Sequence, residues 1–297
     1  MIKRTLFFSS ACKLSVKDKQ LLIENRETGE LNQAPIEDIG FIVFDNPAII
    51  ITQYLLQEFS ENNVAAVFCN SKHHPSSMLL HLDTNNIQTE IFSAQVNVKE
   101  PLKKQLWQQT IKAKINNQAA LLKFLGKDPS PLIYISKKVK SGDTGNAEAR
   151  AARIYWKTLF GGDFRRDRYG EQPNSGLNYG YAILRAAVAR SLSGSGLLPA
   201  LGIHHKNRYN SFCLADDIME PYRPYIDLVV YRLEKELKEK EELTKEMKAE
   251  LLKTLTVDVK INKKKSPLMI GLSQTTASLA RCLAGKAKKI QYPVFIK

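Results

Sequence analysis

The chain has 297 residues, 43% of them hydrophobic, and Lys+Arg 44 against Asp+Glu 30 give a formal charge of +14 and a pI near 9.5. That length accommodates two domains with an ordinary core, and the charge favours a polyanionic partner, nucleic acid ahead of an acidic membrane. There is no apolar run of membrane-spanning length, the MIKRTLFF start lacks a signal-peptide hydrophobic region, and Cys12, Cys69, Cys213 and Cys282 form no C-x-x-C pair; this argues against a membrane span, a disulfide framework and a cysteine zinc site, and predicts a soluble cytoplasmic protein with reduced core thiols.

The first part of the chain reads as β. Apolar runs at Thr5 to Phe8, Leu21 to Glu24, Ile39 to Phe44, Val64 to Phe68 and Met78 to Leu82 are separated by turn chemistry such as Glu27-Thr28-Gly29-Glu30 and Asp45-Asn46-Pro47, and one helix is expected from about Ile49 to Asn62. His73-His74-Pro75 has no spaced carboxylate beside it and reads as loop surface. The predicted architecture is α+β in two domains: a small strand-rich domain over residues 1–85, a linker over 86–99 where the pattern turns polar, and a larger, mainly helical domain over 100–297.

From Glu100 the period becomes helical, with Leu102, Leu106, Ile111, Ile115 and Leu122 spaced for one buried stripe. Pro129-Ser130-Pro131 breaks it, and a basic strip runs from Lys137 to Gly145. Asn146 is the expected N-cap of the next helix, which places Glu148 in its first turn, where the helix dipole alone favours an acid. Gly161 to Tyr181, rich in Gly, Arg, Asn and Tyr, is expected to include an ordered loop before an apolar helix over Ala182 to Arg190. The Glu/Lys-rich stretch from about Arg232 to Leu252 reads as a salt-bridged helical hairpin. There is no internal repeat, P-loop or G-x-G-x-x-G fingerprint.

The densest chemistry lies between Leu201 and Asp227, in LGIHHKNRYNSFCLADDIMEPYRPYID. On a helix either Asp216 or Asp217 shares a face with Glu220, an arrangement that repels itself unless a cation lies between. Pro221 and Pro224 each remove a backbone donor and crowd the carbonyl four residues earlier, so the helix is expected to bend beside its own carboxylates. With His205 arriving from the preceding loop, imidazole and carboxylate would form the mixed ligand set that suits first-row divalent metals and, with more oxygen, magnesium. The competing reading is a charged helix whose acids pair with Arg208 and Arg223.

The charge is unevenly spread. Tyr231 to Thr254 cancels to zero, whereas Leu255 to Lys297 carries nine bases against Asp258 alone. Candidate phosphate contacts are Lys286, Lys288 and Lys289 in that basic tail, Lys137, Lys138 and Lys140 in a second cluster, and Arg165, Arg166 and Arg168 in a third. No amphipathic basic helix with a large aromatic face supports a membrane partner.

Four motifs in register, Asn146-Ala147-Glu148-Ala149-Arg150, Leu177-Asn178-Tyr179-Gly180-Tyr181, Gly202-Ile203-His204-His205 and Leu214-Ala215-Asp216-Asp217-Ile218-Met219-Glu220-Pro221-Tyr222-Arg223-Pro224, make the chain resemble the CRISPR adaptation integrases, the first of the Cas proteins, in the form found in type II systems. The resemblance implies Mg²⁺ or Mn²⁺ held by Glu148, His205 and Glu220, with Asp217 assisting through water and Asn178 and Tyr179 in structural or DNA-positioning roles. It implies a DNA endonuclease and integrase that joins the 3′-hydroxyl of a captured double-stranded fragment to a phosphodiester at a CRISPR repeat boundary. It also implies a homodimer formed through the strand-rich domain, with two such dimers flanking a dimer of the second Cas protein. The four motifs leave the Glu/Lys-rich segment after Tyr231 unaligned, so the local fold there is left open. The rival classes are a non-catalytic basic scaffold for nucleic acid and a phosphoesterase of small phosphates.

Overall fold

The computed structural model describes residues 3–80, 85–167, 169–240 and 242–295. The fold is α+β, and the chain divides into two compact units, Met1–Thr84 and Asn85–Lys297.

In the first unit, strands β1 (Arg4–Phe8), β5 (Ile39–Phe44), β7 (Ala65–Cys69) and β8 (Pro75–Leu79) form one sheet in that spatial order. β5 lies parallel to both β1 and β7 and is buried at every position, which is why its Ile-Gly-Phe-Ile-Val-Phe run shows no alternation. The second sheet has the order β4 (Leu31–Pro35), β3 (Gln20–Asn25), β2 (Cys12–Lys17), β6 (Ile50–Ile51). Lys17 pairs with Gln20 across a two-residue turn whose Asp18 and Lys19 both have positive φ, the backbone that matches the twist of a tight hairpin. Thr52 caps helix α1 (Gln53–Glu61) by accepting from the Leu55 amide. Leu14 and Leu21 from one sheet, Ile42 and Ala66 from the other, and Leu55 and Phe59 from α1 share one core. β2, β4 and β6 go beyond the sequence expectation. β8 ends at Leu79, and residues 81–84, which include the end of the expected Met78 to Leu82 strand, lie outside the described residues.

The second unit is built on α3 (Glu100–Phe124), against which α4 (Ser130–Lys137), α5 (Ala147–Phe160), α7 (Cys213–Met219) and α8 (Arg223–Lys238) pack. Its stripe of Leu106, Ile111, Ile115 and Leu122 is fully buried as spaced, with Leu102 half-buried. Beside it runs a second buried line of Trp107, Thr110, Lys114 and Asn117, which carries polar groups into the interior. The 86–99 stretch is not a bare linker: α2 (Gln88–Val96) forms there and packs on α10 (Leu268–Leu283). Gln95 fastens it by donating to the carbonyls of Leu198 and Leu201 and accepting from the Leu198 amide.

Helix α6 spans Asn174–Gly194 and so begins inside the stretch expected as loop. Gly176 and Gly180, which read as loop residues, lie where neighbouring helices come close, most tightly at Gly180. A Cβ at Gly180 would stand 2.4 Å from Ile226 Cγ2, and one at Gly176 3.1 Å from Leu237 Cδ1. The Glu/Lys-rich stretch is the end of α8 and the separate helix α9 (Lys245–Lys253), followed by the hairpin β9 (Asp258–Ile261) and β10 (Lys264–Pro267) and then α10. Among the described residues no helix is long and apolar enough to cross a membrane, and all four cysteines are free thiols.

Candidate active site

α7 ends at Met219, Glu220–Tyr222 form a single 3₁₀ turn, and α8 starts at Arg223 with Pro224 in its first turn. The α-helix is interrupted at Pro221, where a bend was expected, and the interruption places Glu220 between two helices. Asn117 of α3 holds this turn: its Nδ2 donates to the carbonyls of Pro221 at 2.7 Å and Pro293 at 3.0 Å, and its Oδ1 accepts from the Phe295 amide at 3.0 Å.

The three acids of α7 and the turn have separate partners. Asp216 accepts from Arg185 Nε at 2.6 Å and Nη2 at 3.0 Å, and from Asn210 Nδ2 at 2.7 Å. Asp217 is fully buried and organises the loop before it. Its Oδ2 accepts the amides of Ile203 at 2.7 Å and His204 at 3.0 Å; its Oδ1 accepts the amide of His205 at 3.2 Å and lies 2.5 Å from His205 Nδ1. The glycine of the G-x-x-H motif has a steric reason. A Cβ on Gly202 would lie 2.4 Å from the His205 carbonyl oxygen and 2.8 Å from Asp217 Oδ2. Trp107 of α3 braces the same loop, stacked on His204 at 4.1 Å between ring centroids and edge-on to His205 at 5.7 Å. Asp217 thus acts directly on the imidazole: its carboxylate is an acceptor for an Nδ1 proton, which leaves Nε2 as the nitrogen with the free lone pair, the arrangement that makes a histidine a good ligand. Its hydrogen bond raises the His205 pKa against the opposing effect of burial, with help from the charges of Asp217 and Glu220.

Glu148 and Glu220 converge on one cation, the Lys114 ammonium, which lies 2.6 Å from Glu148 Oε1 and 2.6 Å from Glu220 Oε2. Arg223 Nη2 takes the other Glu220 oxygen at 2.8 Å. Burial alone would push the Glu220 carboxyl up, but Arg223 and Lys114 overcome it and hold the group below its ordinary value. For Lys114, burial works to lower the pKa and the two glutamates outweigh it and raise it. Glu220 Oε2, although close to the ammonium, has no donor aligned for a hydrogen bond. Glu148 sits in the first turn of α5 and Asn146 occupies the N-cap position, both as expected, but the Asn146 backbone is left-handed and its side chain makes no cap bond. Asp143 accepts the Ala147 and Glu148 amides at 2.8 and 3.0 Å instead.

Among the described residues no three His, Cys, Asp or Glu side chains form a ready metal cage. The donors present nonetheless fit a divalent ion. Two carboxylates already share one cation, one of their buried oxygens meets it without an aligned hydrogen bond, and an imidazole is oriented by a carboxylate behind it. Of the two arginines in the competing reading, Arg223 pairs with Glu220 while Arg208 lies over the ring of Tyr209, at 4.6 Å.

Asn178 accepts from Arg166 Nη2 at 2.7 Å, and Tyr179 is buried with Lys248 Nζ 5.9 Å from its ring centre, so both serve the packing of α6. Arg166 also donates to Asn174 and lies over Tyr181; it is turned inward and is not an open phosphate contact. Behind Arg223, Tyr181 and Tyr155 donate to the buried Asp227 at 2.5 and 2.7 Å. Lys137, Lys138, Lys140, Arg165, Lys288 and Lys289 are exposed, Lys138 hydrogen-bonding the Tyr134 hydroxyl. Lys286 is exposed too and pairs with Glu90 at 3.1 Å, a surface contact of little energetic weight. Arg168 lies outside the described residues. Sequence reasoning missed Lys114, Trp107 and Asn117; their one signal is polar or bulky residues at helical spacing beside an apolar stripe.

Residues 6–260 match the sequence model of the family described as CRISPR associated protein Cas1. The CRISPR-associated endonuclease Cas1 of Neisseria meningitidis serogroup C (strain 8013) is 38% identical over 296 residues, 99% of this chain and 96% of the relative. A casposase bound to integration product has a TM-score of 0.80 at 20% identity over 97% of this chain and 92% of its own. A chain of a Cas6-RT-Cas1–Cas2 complex has a TM-score of 0.74 at 18% identity over 100% of this chain and 36% of its own; at such identities the likeness is one of fold. With the family pattern spanning most of the sequence and a relative matched along nearly its whole length, this chain belongs to the Cas1 family.

Proposed function

We propose that this chain joins the 3′-hydroxyl ends of captured double-stranded DNA fragments to CRISPR repeat DNA by a transesterification that depends on Mg²⁺ or Mn²⁺. The observation that carries the reading is the meeting of Glu148 and Glu220, from elements far apart in sequence, on one cation, with the Glu220 charge also acting on the His205 imidazole that Asp217 aligns. Glu148, Glu220 and His205 would hold the ion. Once bound, it supplies Lewis-acid polarisation of a phosphoryl oxygen and neutralises charge developing at phosphorus. In the reaction the fragment's 3′-oxygen forms a bond to phosphorus as the repeat strand's own 3′-oxygen leaves and takes up a proton, so one phosphodiester replaces another. Water in place of the 3′-hydroxyl turns the same step into cleavage, in keeping with the endonuclease name of the Neisseria relative.

The chain's own residues prepare that step. Asp217 fixes the imidazole, Arg223 anchors one oxygen of Glu220, and Asn117 holds the turn that carries it. The exposed lysines of the 137–140 strip and Arg165 suit non-specific phosphate contacts that place the duplex without reading its sequence. Assembly as a homodimer with a dimer of the second Cas protein belongs to the same reading, supported by the similar chain in the Cas6-RT-Cas1–Cas2 complex.

One observation favours the non-catalytic scaffold: Lys114 neutralises the glutamate pair without any metal. The deciding experiment is strand transfer of a labelled duplex with free 3′-hydroxyls into a repeat-bearing plasmid, with the second Cas protein and Mg²⁺ or Mn²⁺ present. Joined product is expected, and it should fall at least about a hundredfold in His205→Ala and vanish with chelator. Tight DNA binding with no joining under either metal makes the scaffold the better reading.

A further inference from the structure

We propose that Lys114 is an internal stand-in cation: its ammonium occupies the position of the divalent ion between Glu148 and Glu220 and must leave for the ion to bind. The inference rests on the metal reading above and concerns how that site is held before metal arrives.

Lys114 projects from the middle of α3, flanked by the fully buried Ile111 and Ile115, and its side chain is 10% exposed. An ammonium there would be strongly disfavoured without partners, and it has two, each at 2.6 Å. Divalent ions take carboxylate oxygens at roughly 2.0–2.6 Å, the same space that the ammonium fills. An ion of charge +2 and an ammonium cannot share the same pair of oxygens, because they collide and repel. The remaining neighbours are arranged to stay. Arg223 binds the far oxygen of Glu220 and lies 4.5 Å over the Tyr181 ring, and His205 is tied to Asp217. Exchange therefore falls on Lys114 alone. Its four-carbon stem can swing the ammonium toward solvent, giving up the two 2.6 Å contacts to Glu148 and Glu220 that the incoming ion replaces. Two consequences follow. The metal-free chain keeps its paired glutamates folded together, and the strength of the ammonium pair is subtracted from the affinity for metal, which makes the site weak and reversible.

The test measures Mn²⁺ binding by electron paramagnetic resonance and by thermal shift for the wild type, Lys114→Met and Glu148→Gln, without DNA. Lys114→Met is expected to melt lower in chelator and to bind Mn²⁺ at least about tenfold more tightly, while Glu148→Gln loses the site. A second measurement needs only the wild type and stands even if Lys114→Met does not fold. Amine acylation read by peptide mass spectrometry should leave Lys114 protected in chelator and modify it several-fold faster in Mn²⁺. If the wild type binds Mn²⁺ through Glu148 but Lys114→Met binds it equally or more weakly, or Lys114 stays protected at saturating Mn²⁺, the stand-in role is overturned and the metal reading survives. If neither the wild type nor Lys114→Met binds Mn²⁺ at millimolar concentration, the metal reading falls and the stand-in role falls with it.

Discussion

Asp227 shows how a single buried carboxyl can set the pH response of this unit. Burial pushes it up to about 6, although hydrogen bonds from Tyr181 and Tyr155 and the charges of Arg223 and Arg166 all favour ionisation. Because its folded value lies above the unfolded one near 3.9, the native state binds the extra proton between those two values, and stability declines as pH rises through that window. Asp227→Asn removes the titration while keeping an acceptor for one tyrosine. The variant's melting temperature, compared with wild type from pH 4 to pH 7, is expected to lose this downward contribution, on the order of 2–3 kcal/mol in all. At this scale the ligand candidates were legible because each sits in a short motif with its own constraint: Glu148 behind a helix start, His205 behind Gly202, and Glu220 before Pro221. Lys114 was not legible. A lysine within an apolar stripe reads as a surface interruption, and only the folded chain shows two glutamates from other elements reaching it. The contact of Asp217 with the imidazole was not legible either, because only the folded loop brings His205 over its carboxylate.

The packing of α6 on α8 turns the Gly176 and Gly180 pair into a graded test of close approach. At Gly180 an added methyl meets Ile226 Cγ2, fixed next to a branched Cβ, at 2.4 Å; at Gly176 it meets the far end of Leu237 at 3.1 Å. Gly180→Ala is expected to destabilise by about 1–3 kcal/mol through overpacking, more than the up to about 1 kcal/mol that alanine offers a helix. Gly176→Ala should lie near neutral, since Leu237 can yield. Chemical denaturation of the two variants checks the order. The same glycines explain why the sequence places the start of α6 at Ala182: glycine and asparagine signal loops, and tertiary packing overrode that local preference. Among the strands, β5 was clear because it is apolar throughout. β4 was not, having only Ala34 buried and existing as an edge by pairing with β3. β2 does alternate, Cys12, Leu14 and Val16 against Lys13, Ser15 and Lys17, but its polar half obscured it.

Over the whole molecule, the +14 charge converts into a measurable salt response only through side chains that face outward. Replacing Lys137, Lys138 and Lys140 together by glutamine should flatten the dependence of duplex-DNA affinity on salt, by roughly one unit of log–log slope for each phosphate that is no longer neutralised. Arg166→Gln should leave that slope unchanged and lower the melting temperature instead, because this guanidinium serves Asn174 and Asn178. Anisotropy titrations over a range of salt separate the two. Net charge alone assigns the lysines and Arg166 the same role, and their exposure tells them apart. A last consequence comes from Asn117, whose amide grips the Pro221 carbonyl and the 293–295 segment at once. On the ribosome α3 and Glu220 emerge well before Pro293 and Phe295. The turn that carries Glu220 is therefore fully clamped only after residues 293–295 have been translated, and until then Asn117 lacks two of its three partners.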